Sequence, residues 1–513
     1  MRNTPRIRVE RLEEEYLPRR AKERQFRETM GVRAAESPAL YDLPDGAAVV
    51  VPDAVHVYVR AISYDDVRVE NGQETEASHK RALAFLNLLY VSGDRAVQAI
   101  GAQRVDFHGA RMHAVVTEPT GQASLGARLS RALAIARDMT DLARAIDRTL
   151  PDGSRFPLRF RIGVDAGTCI AINSGRSDDR EPVFIGPAAN HAAKLADGDR
   201  EGIYLSDRLR RMLGLQTAGS LDLERAQEVP AYLVAAAAER FRASGSAARL
   251  EEFLRDQRGG EVTPLSPSAF TFHRHTPPLS GIDYAALSPS RSVRMPLASV
   301  FADLDRYTAY VDHCMATGCL PDAVRLLHVL RSEFNAVLQR DFGGRKVRFI
   351  GDCIHGLLAV GTSFETDEQA TIELATQCAG ALRSSFELCQ RIVEHADRLG
   401  LAIGFEYGWT PVTRIGIRGE RSVRTASSLA SRGSERCQRQ CGGDETMIGE
   451  AAYDRAPVPV RKLFGPSRIA SGLTYDDVAT AGTPVAPKVA AAAAPAILSS
   501  PAAAAPLSRA YGC

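Results

Sequence analysis

Two aspartates in this chain have the setting that chemistry would need. Asp303 lies near the end of an apolar run, SVFADLDRYTAY (Ser299 to Tyr310). Asp352 sits in a Gly-Asp turn within VRFIGDCIHGLLAV (Val347 to Val360). If the two runs are neighbouring strands, both carboxylates reach one sheet edge. Such a pair can hold one or two hard divalent cations and leave positions open for triphosphate oxygens. The helix start after Asp303, over Leu304, Asp305, Arg306, Tyr307 and Thr308, offers backbone N–H groups to phosphate. Gly351 permits a tight turn beside the acids. Taken singly, Asp303 reads as a helix cap and Asp352 as a turn residue.

An earlier stretch repeats the pattern without the acids. It reads HVYVRAISYDDV (His56 to Val67), then RVDFHGARMHAVV (Arg104 to Val116). In register, Arg60 stands where Asp303 does and Ala110 where Asp352 does. A duplication that keeps a carboxylate pair in one copy and loses it in the other implies a two-part site. One part holds metal and the other supplies something else. The matched frames favour this reading over two unrelated structural aspartates.

The elements that must position these residues form two α/β units in the same order. The first spans 52–215, with strands HVYVRAIS, RVDFHGARMHAVVTE and RFRIGVDAGTCIAINS. Helical segments of period near 3.6 lie between them, EASHKRALAFLNLLYVSGDRAVQAI and RLSRALAIARDMTDLARAIDRTL. It closes with GIYLSDRLRRMLG, where Ser206 or Asp207 can cap a helix. The second spans 295–465, with SVFADLD, KVRFIGDCIHGLLAV, LAIGFEYGWTPVTRIGI and TMIGEAAYDRAP. Residues 1–50 read as a short helix and connector. Residues 216–294 read as a helical and Pro/Ser-rich linker, and the Ala/Pro-rich tail 479–513 as disordered. The 513 residues suffice for such domains, each with its own core.

Charge and cysteine content narrow the function classes. A net charge of +2 with 25% charged residues gives no reason to expect nucleic-acid or membrane binding. No apolar run approaches the roughly 18 residues of a membrane span. The N-terminus carries acids and no apolar signal core. The nine scattered cysteines fit a reduced, cytoplasmic protein. Cys437 and Cys441 have no partner pair for zinc.

FADLDRYTAY and KVRFIGDCIHGLLAV resemble the two metal-binding segments of class III nucleotide cyclases. RFRIGVDAGTCIAINSGRSDDREPVFIGPAANHAAKLA is similar to that family's Ile-Gly-x-x-x-Gly strand, hairpin and Asn-bearing helix. The resemblance covers roughly 52–215 and 295–465. It implies an α+β sandwich of two ferredoxin-like cyclase domains, each with a mainly antiparallel sheet. They would pair head to tail within one chain, a monomer unless it dimerises further. It implies two manganese or magnesium ions on Asp303, the Leu304 carbonyl and Asp352. Asn190 would orient the substrate ribose, with Lys194 in the place of the family's arginine. Lys194 keeps the charge and loses the bidentate fork. The opposite site, with Arg60, Ala110, Ser428 and Arg432, should be dead.

Asp106 and Val183 occupy the family's base-reading positions. They do not match the Lys and Asp of adenylate cyclases. Asp106 could accept from guanine, from uracil N3–H or from the cytosine amino group. The bare tandem core resembles the pyrimidine cyclases of bacterial Pycsar anti-phage systems. The resemblance thus favours UTP as substrate, then CTP, then GTP or ATP. A non-catalytic nucleotide-binding regulator is the alternative of another class, and retention of both acids argues against it. A diguanylate cyclase is disfavoured, because Gly443-Asp444-Glu445 falls outside the expected hairpin.

Overall fold

The computed structural model describes residues 48–146, 158–174, 181–217, 219, 226–240, 255, 266–392 and 395–481. The expected N-terminal helix and almost all of the tail lie outside them.

The first half runs β1 (Ala48–Ala61), α1 (Tyr64–Arg68), α2 (Glu76–Ala99), β2 (Gln103–His108), β3 (Arg111–Val116) and α3 (Leu125–Ile146). It continues with β4 (Phe160–Ser174), β5 (Glu181–Ile185), α4 (Pro187–Ala196), β6 (Gly202–Leu205) and α5 (Asp207–Met212). Helix α6 (Ala231–Glu239) and the short β7 (Phe272–His273) connect the halves. The second half repeats the order with β8 (Ser292–Asp305), α7 (Tyr307–Thr317), α8 (Leu320–Ala336), β9 (Arg345–Ile350), β10 (Cys353–Leu358) and α9 (Glu368–Ile392). Then come β11 (Gly400–Ile415), β12 (Val423–Ala426), α10 (Leu429–Gln440), β13 (Glu445–Ile448) and α11 (Glu450–Arg455). It ends with α12 (Val458–Phe464), β14 (Ile469–Ser471) and α13 (Tyr475–Thr480).

Each half is built on a mostly antiparallel sheet. The first has the order β2-β3-β1-β4-β5, with β6 parallel to β4. The second has the order β14-β13-β11-β8-β10-β9, with β12 beside β11 and β7 beside β8. Local sequence explains the helices. Thr75 and Ser78 form a reciprocal capping box at the start of α2. Ser206, as anticipated, caps α5 by accepting from the Leu209 N–H. The apolar stripes of α2 and α3 (Phe85, Leu89, Leu133, Ile135) bury against Val55, Val57, Val59 and Ile162 of the sheet. In the second half Leu327, Leu330, Phe334 and Leu382 cover Val300, Ala302 and Ile403 in the same way.

The halves exchange apolar side chains. Ile170, Ile172, Val183 and Ile185, from the β4–β5 hairpin, enter the second core. Ile415 and Val423, from β11 and β12, enter the first. Residues 266–291, within the expected Pro/Ser-rich linker, are packed against the second half. Leu279, Ile282 and Tyr284 are buried with Val293, Leu297, Val347 and Leu357. Apolar residues spaced among the prolines and serines were the missed signal. Trp409 is half exposed, under the Arg294 guanidinium at 4.3 Å.

Glycines explain why one helix in each half can lie on its sheet. A Cβ on Gly163 would stand 2.1 Å from the Ala192 carbonyl of α4. A Cβ on Gly404 would stand 2.2 Å from the Gln438 nitrogen of α10. These are the same position in the two Ile-Gly motifs. Gly163→Ala should therefore push α4 off the sheet and destabilise the fold by about 1–3 kcal/mol in chemical denaturation. Gly126→Ala, in open space on α3, should be neutral or slightly stabilising, because alanine suits a helix better.

Candidate active site

Strand β8 carries Asp303 between β10 and β11. Asp303 pairs with Ala402 on β11 and lies one step past the Ala302–Ile354 pair with β10. The β9–β10 hairpin turns through Gly351, at φ +59°, and places Asp352 beside Asp303. Strand β8 ends at Asp305, as the segment SVFADLD does, so Leu304 and Asp305 belong to the strand and not to the helix start, and Arg306 makes the turn into α7 at φ +65°. A non-glycine residue at such a φ is a strained point held by its surroundings.

The two acids crowd each other. Burial, reinforced by the charge of Asp352, raises the Asp303 carboxyl well above the usual carboxylate range. Burial pushes Asp352 up to about 6, with Arg331 working against it. Gln438 Nε2 donates to Asp303 Oδ2 at 3.3 Å. Arg331, buried on α8, donates from Nε to the Gly351 carbonyl at 3.0 Å and lies 4.6 Å over the Phe349 ring. It fixes the turn that carries Asp352.

The first half brings Asn190 to the same place. Helix α4 starts at Pro187, and Asn190 Nδ2 donates to the Thr308 hydroxyl on α7. A cavity of about 570 Å³ lies between the halves, and Asp352, Gly351, Asn190, Asp106 and Val183 all line it. Asp303 adjoins it beside Asp352. Leu304 and Tyr307 bury their side chains in the core, so only their backbones can face a ligand. Asp305 is half buried, and Arg306 is exposed with its guanidinium 3.6 Å from Asp305. Lys194 is exposed on the next turn of α4 and does not line the cavity.

Other lining residues carried no motif in the sequence. Tyr58, Arg104, Glu181, Tyr284, Arg348, Arg424 and Arg439 come from both halves and from the 266–291 segment. Only the long-range pairing of the halves collects them. Arg439 lies 3.4 Å from Asp197 and 2.9 Å from Glu435, and its charge is felt at Asp303.

The pseudo-equivalent place is filled by protein. Arg60, Ala110, Ser428 and Arg432 line a cavity of only about 100 Å³. Arg60 donates to the Asp197 carbonyl at 2.6 Å, and Arg432 pairs with Asp65 at 2.8 Å. A cation, Arg60, thus stands where the other half has Asp303, and Ala110 where it has Asp352.

No family model matches the sequence. A uridylate cyclase from a Rhizobium species is 45% identical over 470 residues, 90% of this chain and 89% of that protein. A uridylate cyclase from Pseudomonas aeruginosa is 40% identical over 461 residues, 86% and 85% of the two chains. The chain belongs to the uridylate cyclase family. It is a nucleotidyl cyclase, a phosphorus–oxygen lyase. The crystal structure of a class III adenylyl cyclase-like ATP-binding protein from Pseudomonas aeruginosa superposes with a TM-score of 0.80 at 37% identity. It covers 91% of this chain and 98% of that one, which agrees with the tandem class III fold read from the motifs. Uridylate cyclase relatives bind a nucleotide, and class III cyclases in general use divalent metals. Among the described residues no group of three or more His, Cys, Asp or Glu side chains is disposed to hold a metal. The candidate donors here are two carboxylates and one backbone carbonyl. No helix among the described residues is long and apolar enough to cross a membrane.

The crowded acids make the protein's stability depend on pH. Asp352 ionises less readily in the fold than at its ordinary value of 3.8. Its contribution is fully present below about pH 4 and is lost as pH rises through about 6. In chelator at pH 7.5, Asp352→Asn should therefore be more stable than the parent by on the order of 1 kcal/mol, discounted for partial exposure. The gain should vanish near pH 4, and calorimetry at the two pH values reads the difference.

Proposed function

We propose that this chain converts UTP into 3′,5′-cyclic UMP and pyrophosphate, as a cytosolic second-messenger enzyme of anti-phage defence. One observation carries the reading. In a chain 45% identical to a uridylate cyclase, the acid pair of one half and Asn190 of the other meet at one cavity. Free thiols at every cysteine among the described residues fit a reducing compartment.

The donor set fits hard divalent ions. Asp303 and Asp352 are oxygen donors pressed together, and their raised pKa values mark a place where added positive charge is favoured. Asp303, Asp352 and the Leu304 carbonyl would hold two manganese or magnesium ions. When bound, the ions supply charge neutralisation for the triphosphate and ease proton loss from the ribose 3′-hydroxyl.

The remaining work falls to the chain's own groups. Asn190, steadied by Thr308, orients the ribose so that its 3′-oxygen lies in line with the α-phosphorus. The O3′–Pα bond forms as the bond to the pyrophosphate oxygen breaks. Backbone N–H groups of Tyr307 and Thr308, at the start of α7, face the phosphates. Arg439, in the cavity wall, balances charge on the leaving group, a role the resemblance gives to Lys194, which lies outside the cavity. Arg331 keeps the Asp352 turn in place. Asp106 and Val183 meet the base.

Purified protein incubated with ATP, GTP, CTP or UTP and manganese should yield cyclic UMP, resolved by chromatography. Asp303→Ala should lower its formation by about 10²–10³-fold or more. Asn190→Ala should lower it on the order of 10²-fold. Ser428→Ala, at the filled site, should leave turnover close to the parent. A cyclic purine or cyclic CMP as the main product would overturn the UTP assignment.

A further inference from the structure

Asp106 stands three residues before Gly109, and Arg348 stands three residues before Gly351. They are therefore mates in the two hairpins. In this chain they meet. Arg348 Nη1 lies 2.7 Å from Asp106 Oδ1, and both line the large cavity. Arg348 is on β9 of the metal-bearing half and Asp106 is on β2 of the other.

The guanidinium cannot turn freely. Its Nη2 donates to the Arg424 carbonyl, and its side chain is only 8% exposed. Glu181 ties the surrounding wall together. It accepts from the Phe349 N–H at 2.8 Å and pairs with Arg424 at 2.9 Å. Buried Val183 completes the wall with an apolar surface. A fixed acceptor and a fixed donor thus lie side by side at the cavity surface.

We propose that Arg348 and Asp106 together read the hydrogen-bonding edge of the pyrimidine base, so that the metal-bearing half also supplies a specificity residue. This rests on the UTP reading above. Uracil presents the O4 acceptor next to the N3–H donor. The Asp106 carboxylate accepts from N3–H, and the Arg348 guanidinium donates to O4. Cytosine presents the amino donor next to the N3 acceptor, the reverse order. With the ribose and phosphates anchored, the base has little room to slide. The wrong order then leaves a held polar pair unmatched, which is how a polar site rejects a near-isostere.

The test uses the full chain with Asp106→Asn and, separately, Arg348→Lys. The first keeps the shape of the acid. The second keeps the charge and loses the planar fork. Steady-state kinetics with UTP and CTP, and their dissociation constants by calorimetry, give the UTP-to-CTP preference for each protein. Thermal unfolding confirms that each variant is folded. The expected result is a preference narrowed by about tenfold in both variants, carried mainly by the loss for UTP. If both nucleotides weaken in step and the preference is unchanged, the pair only joins the halves and the proposal fails. A parent enzyme that prefers a purine or CTP removes the UTP reading and this proposal together. A parent that prefers UTP with insensitive variants removes the proposal alone.

Discussion

The reciprocal burial of two hairpins is the constraint on which the rest of the molecule depends. Ile170, Ile172, Val183 and Ile185 are core residues of the second half although they belong to the first. Ile415 and Val423 make the return exchange. Neither half can satisfy its apolar surface without the other in this orientation. Arginine–carboxylate pairs then set the register of the contact. Arg111 meets Glu435 at 2.9 Å, Arg421 meets Asp94 at 2.9 Å and Arg424 meets Glu181 at 2.9 Å, each across the junction. Apolar exchange supplies the association and directional charge pairs select one alignment. The cavity is a product of that alignment.

The same alignment accounts for the asymmetry of the two cavities. Near the pseudo-axis, His108, Arg111, Arg348 and Glu435 form walls of both. On one side they border a space of about 570 Å³ with two crowded acids at its edge. On the other, Arg60 replaces the acid, binds the Asp197 carbonyl, and the space shrinks to about 100 Å³. The Arg60 guanidinium takes up space there and donates to a backbone carbonyl, and the space left is too small for a triphosphate.

Much of this was legible in the sequence because it is local. The apolar runs, the Gly351 turn, the two Ile-Gly strands and the helix periods all follow from spacing within a few residues. The comparison of copies pointed to Asp303 and Asp352 without any partner in view. What escaped was non-local. The packed segment 266–291 looks like a loop because its apolar residues have no period. Arg348 and Arg439 look like surface charge until the halves are brought together. Lys194 keeps the spacing of an inward-facing residue, yet α4 is rolled so that Ala193 and Asp197 share the cavity wall with Asn190.

The covalent link between the halves has a consequence at low copy number. Enzymes that assemble one site from two separate chains lose activity on dilution, because subunits part before substrate is met. Here the second partner is always tethered to the first, so its local concentration does not fall on dilution. The pairing of the two halves is then set by the chain itself and not by how many copies surround it.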